Sequence, residues 1–206
     1  MSAEIDNTRM FFYDLIKSFF YAEPTEELYE KWIEIFKSMK SEELLFDDRF
    51  QQILSFFDEV FKNYDYEKLK NEYYELFVNP FSDNLINLNA SFYLDGKNFG
   101  ETLVKLRDFL WERGIVKDVE FKDSEDSIVF LSDTMIYLIK NKSELSDQIE
   151  FFEKFIEPFF IEFAKALKNH PQAYFYASCG VLIDFILDVE KSFLSEGNLN
   201  GGVYEA

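Results

Sequence analysis

The spacing of apolar residues along this chain is helical almost throughout. Phe12, Leu15, Ile16 and Phe19 fall on one face of a first helix, which must end before Pro24. Thr25 is placed to cap a second, with Glu26 and Glu27 in its first turn, where carboxylates suit the partial positive charge of a helix start. The apolar face of that helix reads Leu28, Trp32, Ile35, Phe36 and Met39. A third helix carries Ile53, Phe56, Phe57, Val60 and Phe61. A fourth carries Leu69, Tyr73, Leu76 and Phe77 and stops at Asn79-Pro80.

Residues 79–97 break the pattern. They hold Pro80, Asp83, Asn84, Asn87, Asn89 and Gly96 and show no sustained helical face. A connection of that length inside a helical protein is uncommon and often functional, and it is the natural hinge between two halves. Helical spacing resumes near Asn98 and runs to Arg113, with Gly114 as its stop. Asp123 or Ser124 is expected to cap the next helix, which buries Ile128, Leu131, Met135, Leu138 and Ile139. Ser143 opens a long helix with Phe152, Phe155, Ile156, Phe159, Phe163 and Leu167, kinked at Pro158 because proline cannot donate back to residue 154. A last helix from about Pro171 sets Phe175, Ser178, Leu182, Phe185, Val189 and Phe193 on one face. No repeat emerges at a fixed period. The predicted architecture is all-α, a bundle of about eight to ten helices. It comprises two packed halves, 1–78 and 98–196, a hinge and binding loop over 79–97, and a disordered Gly- and Asn-rich tail over 197–206.

Composition supports that picture and narrows the function. Twenty-six Phe supply large rings for a core, while only 7 Gly and 4 Pro leave little material for the turns of a sheet protein. The net charge of −19, from 40 acids against 21 bases, excludes nucleic acid and disfavours anionic membranes, since both need clustered Lys and Arg. A basic partner suits the charge, and so does solubility alone. Cys179 is the one cysteine, so no disulfide forms within the chain. Residues 1–9 lack the basic region and apolar core of a secretory signal. The uncharged stretch Asn169 to Ile183 is too short and too polar to span a bilayer. The expected location is the cytoplasm.

Catalytic constellations are missing. His170 is the one histidine, which rules out the paired Glu-x-x-His motifs of di-metal bundles and the Cys/His zinc sites. It lies between helices beside Pro171 and reads as a polar connector residue. No Gly-rich phosphate loop occurs. The chain is expected to be no enzyme and to carry no cofactor and no metal.

Two places offer binding chemistry instead. Tyr73, Leu76 and Phe77 arrive at the end of the fourth helix, Pro80 redirects the chain, and Asn89-Ala90-Ser91-Phe92-Tyr93 follows. Rings beside an irregular, hydrogen-bonding loop are what a peptide groove requires, though the same rings also read as core. Downstream, Asp126, Phe130, Asp133 and Tyr137 are spaced to share a helix face, with the two acids about 10 Å apart along the axis. Such acids could pair with separate cations, or Glu125 and Asp126 could simply complement the helix start while Asp133 is solvated.

At these residues the chain resembles the TorD/DmsD family of molybdoenzyme maturation chaperones, to which NarJ-type chaperones are related. The resemblance runs from about Met10 to Leu194. Its most specific part is Glu72-Tyr73-Tyr74-Glu75-Leu76-Phe77-Val78-Asn79-Pro80, similar to the family's Tyr-x-x-Leu-Phe helix end. Ser91-Phe92-Tyr93-Leu94-Asp95-Gly96 resembles its Ser-Val-Tyr segment, and Pro158-Phe159 its Leu-Pro-Trp position. Glu125-Asp126-Ser127-Ile128 stands where the family has Pro-x-Asp-His-Leu/Ile, so Ser127 replaces the histidine and no role of that histidine carries over.

The resemblance implies a cytoplasmic chaperone of anaerobic respiration. It would bind the twin-arginine signal peptide, or an N-terminal segment, of an apo-molybdoenzyme until cofactor insertion and export. It places the peptide site at Tyr73, Leu76, Phe77, Pro80, Ser91, Tyr93 and Asp126, to which the helix-face reading adds Phe130 and Asp133. Two alternatives stand beside it. One is a helical adaptor or dimeric scaffold that binds a folded partner. The other is a nucleotide- or small-molecule-binding enzyme. Neither the client enzyme nor the choice between monomer and helix-exchanged dimer is legible.

Overall fold

The computed structural model of the chain describes residues 3–41, 48–82 and 84–201. Its regular elements are helices: α1 (Ala3–Phe20), α2 (Glu26–Ser41), α3 (Asp48–Asn63), α4 (Tyr66–Tyr73), α5 (Ala90–Asp95), α6 (Glu101–Glu112), α7 (Ile128–Lys140), α8 (Leu145–Phe151), α9 (Glu157–Asn169) and α10 (Phe175–Gly201). Asn89 and Ser127 form an isolated antiparallel bridge, and no strand occurs among the described residues. The fold is all-α, as the periodicity predicts. No helix among the described residues is long and apolar enough to cross a membrane. No group of three or more His, Cys, Asp or Glu able to hold a metal occurs among them.

Several helix ends follow local chemistry. Thr25 Oγ1 accepts from the Leu28 N–H at 3.2 Å and caps α2. Gly114 takes φ +65°, a left-handed conformation that glycine adopts without steric penalty. There the Gly114 N–H bonds the Trp111 carbonyl and the Ile115 N–H bonds that of Leu110, which closes α6 in a Schellman motif. Other ends depart from expectation. Helix α5 lies inside the stretch expected to lack helix. The cap of α7 is Ser127, whose hydroxyl accepts from the Phe130 N–H at 3.2 Å, and not Asp123 or Ser124. The expected apolar face of α7, from Ile128 to Ile139, is buried throughout. On α10 Val189 is exposed, because the buried stripe runs through Cys179, Ile183, Ile186 and Glu190. That helix continues through Gly201, past Glu196, and 202–206 lie outside the described residues, as does Asp83.

Two octapeptides share a local device. Tyr73-Tyr74-Glu75-Leu76-Phe77-Val78-Asn79-Pro80 and Phe151-Phe152-Glu153-Lys154-Phe155-Ile156-Glu157-Pro158 match in pattern: two rings, Glu, any residue, Phe, a β-branched residue, any residue, Pro. Each contains a π turn, Tyr74–Val78 and Phe152–Ile156, that ends two residues before its proline. A proline has no N–H for the carbonyl four residues back. The widened turn shifts the bonding by one position just ahead of it, with the Asn79 N–H on Tyr74 and the Glu157 N–H on Phe152. The helix therefore passes Pro158 through a π turn, where the sequence suggests a kink.

The chain forms two compact units, each assembled from separated stretches. One comprises Met1–Tyr21, Leu88–Phe163 and Ile186–Ala206, and the other Ala22–Asn87 and Ala164–Phe185. In the first, α1 packs along α7. Its buried polar centre is the pair Arg9–Glu190, where the guanidinium donates from Nε at 2.9 Å and from NH2 at 2.7 Å to the two carboxylate oxygens. The same guanidinium lies 4.4 Å from the centre of the Phe193 ring. In the second unit α2 packs on α3 around a stack of rings, with Phe36 over Phe57 at 3.9 Å and Trp32 over Phe175 at 5.4 Å. Gly180 of α10 is required there, since a Cβ would meet the Ala164 carbonyl oxygen at 2.8 Å.

Candidate functional site

The end of α4 and the loop after it form the first candidate. Pro80 cannot donate to the Leu76 carbonyl, and the Ile86 N–H takes that place at 2.8 Å. The acceptor freed by the proline is thus what folds the loop back onto the π turn. Asn79 organises the near side. Its amide donates to Glu75 at 2.8 Å, its side-chain oxygen accepts from the Phe81 N–H at 3.0 Å, and its carbonyl accepts from Ser82. His170 pins the far side: Nε2 donates to the Asn84 carbonyl at 3.0 Å while Nδ1 accepts from the Gln172 N–H at 3.2 Å. That pairing requires the neutral Nε2–H tautomer. The connector reading of His170 is therefore right in position and incomplete in role.

Behind this loop sits Glu72. Its buried carboxylate accepts from the N–H groups of Tyr174 (2.8 Å), Phe175 (3.1 Å) and Tyr176 (2.9 Å), the entry and first turn of α10. Burial pushes its carboxyl above the usual range, and the N–H bonds with the Tyr64 hydroxyl only partly oppose this. Burial, and then the proximity of Glu72, hold the Tyr64 phenol up as well.

Of the residues expected at the peptide site, Tyr73 and Leu76 are buried, with the Tyr73 ring against Phe77 and Tyr176. Phe77 is half-buried, 5.0 Å from Tyr176, and Pro80 is exposed. The surface belongs to other side chains. Phe81 is 90 % exposed, and Tyr74, Val78 and Leu85 are each more than two-fifths exposed. Sequence periodicity passes over Phe81 because it follows Pro80, beyond the end of the helical face that Tyr73, Leu76 and Phe77 define. Its mark is a lone ring directly after a helix-ending Pro.

The second candidate, residues 89–95 with the start of α7, lies in the other unit. Asp126 is wholly buried. One carboxylate oxygen accepts from the Ser91 N–H at 2.9 Å, the other from the Ser124 hydroxyl, and the Asp126 carbonyl accepts from the Ala90 N–H. Asp126 also precedes the cap residue, so it stands off the helix face. The expectation that Asp126 and Asp133 offer paired acids on one face is thereby corrected: Asp126 ties α5 to the entrance of α7. Asp133 is half-exposed and binds Lys17 at 2.8 Å. Ser91 is buried, with no partner for its hydroxyl among the described residues. Tyr93 packs on Phe159 at 5.6 Å, and Phe130 is buried against Phe121 at 5.6 Å. Exposed rings here are Phe92 and Phe99, the latter at φ +59°, a left-handed conformation strained for a bulky side chain.

Asp126→Asn is expected to cost about 1–2 kcal/mol in denaturant unfolding, because one of the two donors to its carboxylate loses its acceptor. The loss should be equal at low and high salt, since a buried hydrogen bond is little screened. A loss that shrinks with salt would instead place Asp126 in a solvent-facing ion pair.

A family model described as nitrate reductase delta subunit matches residues 43–165, a span that includes both candidate places. Among solved structures, a proposed redox enzyme maturation protein from Archaeoglobus fulgidus is similar in fold. It has 21 % identity and a TM-score of 0.55, over 91 % of this chain and 96 % of that one. No curated protein matches.

Proposed function

The chain belongs to the nitrate reductase delta subunit family, the NarJ/TorD-type chaperone family, and on that premise we propose that it is a redox enzyme maturation chaperone that works by holding a leader segment. The client segment is the twin-arginine signal peptide or N-terminus of an apo-molybdoenzyme of anaerobic respiration. It is held in the cytoplasm while the cofactor is inserted, and the chaperone itself performs no chemistry.

The observation that carries this reading is Phe81, an almost fully exposed ring on a loop pinned by Ile86–Leu76 and His170–Asn84. An exposed ring on a preorganised support loses little entropy on binding. Val78, Pro80 and Leu85 extend the apolar surface on the same stretch of chain. Tyr73, Leu76 and Phe77 act from behind it as supports. In the other unit Asp126 holds the 89–95 segment through Ser91, Tyr93 packs on Phe159 and Phe130 on Phe121, and Asp133 can exchange Lys17 for a cation of the client. The charge of −19 speeds encounter with a basic leader.

Calorimetry with a twin-Arg leader peptide tests the proposal. Phe81→Ala should weaken binding about tenfold, the loss of an aromatic anchor buried on binding, with unchanged melting temperature because the ring is almost fully exposed at rest. Equal affinity of the variant, or no binding by the wild type, would sink it.

A second reading is favoured by Trp111, which is 84 % exposed on α6 and followed by exposed Val116 and Val119. It makes the chain a helical adaptor that presents this apolar surface to a folded partner or to a second copy. Trp111→Ala that abolishes client capture while leaving leader binding intact would support it.

A further inference from the structure

Beyond the loop, the second unit contains a groove of about 740 Å³ where the start of α2, the end of α3 and the start of α4 meet. Its walls are the rings of Tyr29, Phe61 and Tyr66, with Tyr29 5.9 Å from Phe61 and 6.4 Å from Tyr66. The Tyr29 hydroxyl donates to the Tyr64 carbonyl, which fixes the ring in place. Four carboxylates, Glu26, Glu30, Asp65 and Glu67, stand against two ammonium groups, Lys62 and Lys68, so the lining carries a net charge of −2. Lys68 donates to the Asn63 carbonyl at 3.0 Å, and Asp65 accepts from the Lys68 N–H as the cap of α4. The carboxylates of Glu26, Glu30 and Glu67 enter no side-chain hydrogen bond or ion pair among the described residues. Ring faces next to unpaired carboxylates form a receptor for a planar cation, which stacks on the ring while its N–H groups meet the oxygens.

We infer that this groove binds an arginine side chain of the leader segment, as a subsite separate from the apolar surface at Phe81. The inference rests on the leader-binding reading above and adds the determinant of charge specificity. Geometry connects the two places. The groove lies at the beginning of α4 and the exposed rings at the end of its continuation, from Tyr66 to Val78, a distance of about 18 Å at 1.5 Å per residue. An extended peptide covers that in roughly five to six residues. A leader with its arginines about six residues ahead of its apolar stretch therefore fills both at once, and linking the two contacts raises affinity beyond either alone.

The test uses three labelled synthetic peptides: Arg-Arg six residues ahead of an apolar stretch, the same peptide with citrulline for arginine, and one with the spacing cut to two residues. Binding to the full chain is followed by fluorescence anisotropy at low and high salt. The Arg peptide should bind the wild type about fivefold more tightly than the citrulline peptide at low salt, a difference typical of two exposed charge contacts. High salt or the shortened spacer should erase that difference. Glu26→Gln/Glu30→Gln should remove the preference and leave citrulline-peptide affinity unchanged. Tyr66→Leu, which keeps the charges, should reduce it. Phe81→Ala should weaken all three peptides alike. Equal binding of Arg and citrulline peptides by the wild type would overturn the subsite while leaving leader binding intact. So would a double variant that keeps the full preference. Failure of every peptide to bind would overturn the leader reading and the subsite with it.

Discussion

Replacing Glu72 with alanine is expected to remove about 3–5 kcal/mol of stability, a loss readable as a lower denaturation midpoint with unchanged slope. The N–H groups of Tyr174, Phe175 and Tyr176 all donate to this one carboxylate, and two of those residues are wholly buried. Alanine would leave the buried N–H groups of Phe175 and Tyr176 without an acceptor at the helix start. Glu72→Gln should cost less and should also change the pH dependence. Burial raises the folded-state carboxyl above its ordinary value, the N–H bonds notwithstanding. Between the unfolded and the folded value the native state therefore binds the extra proton. The stability linked to that proton is fully present below the ordinary carboxyl value and is lost as pH rises through the raised one. The difference in unfolding free energy, wild type minus Glu72→Gln, should thus be larger near pH 4.5 than at pH 7.5 and flat above the raised value. A difference that grows with pH would show that the N–H bonds dominate burial.

Arg9→Met should have an effect of comparable size, about 3–5 kcal/mol, because it strands Glu190 as a buried carboxylate without its partner. The pair is bidentate and nearly inaccessible, with side-chain exposures of 5 % and 4 %. The double variant Arg9→Met/Glu190→Leu should recover most of the loss, since an apolar replacement of a buried ion pair removes the desolvation cost on both sides. Such recovery would identify the single-variant loss as the penalty of an unpaired charge. No recovery would mean that the pair itself, or its contact with Phe193, supplies the stability.

Where helices start and stop was readable when the cause is local. Thr25 caps α2 through a bond three residues on, and Gly114 ends α6 through its own left-handed backbone. Amphipathic spacing likewise identified the buried face of α7. What escaped depends on partners distant in sequence. Helix α5 stands in a stretch without helical spacing because the Asp126 carboxylate and carbonyl satisfy the N–H groups of Ser91 and Ala90. The same bonds remove Asp126 from the surface, so an acid read as a partner for cations proves internal. Glu72 sits in the most family-like segment, yet its role is to cap α10, about a hundred residues downstream. The π turns were legible in principle from the shared ring-ring-Glu-x-Phe-β-branched-x-Pro pattern, but a search for fixed repeat periods passes over a motif that occurs twice. Phe81 was missed for the opposite reason: its significance is exposure, and hydrophobic patterning registers only burial.

In the proposed function a leader segment docks on the apolar surface following α4. Photo-crosslinking tests it most directly, with p-benzoylphenylalanine placed at position 81 and, in a parallel sample, at position 111. Each protein is irradiated with the twin-Arg leader peptide and the joined peptide is mapped by mass spectrometry. A crosslink from position 81 to the apolar stretch of the leader, and none from position 111, is the expected result. Leader that binds yet crosslinks only at 111, or at neither position, would contradict it.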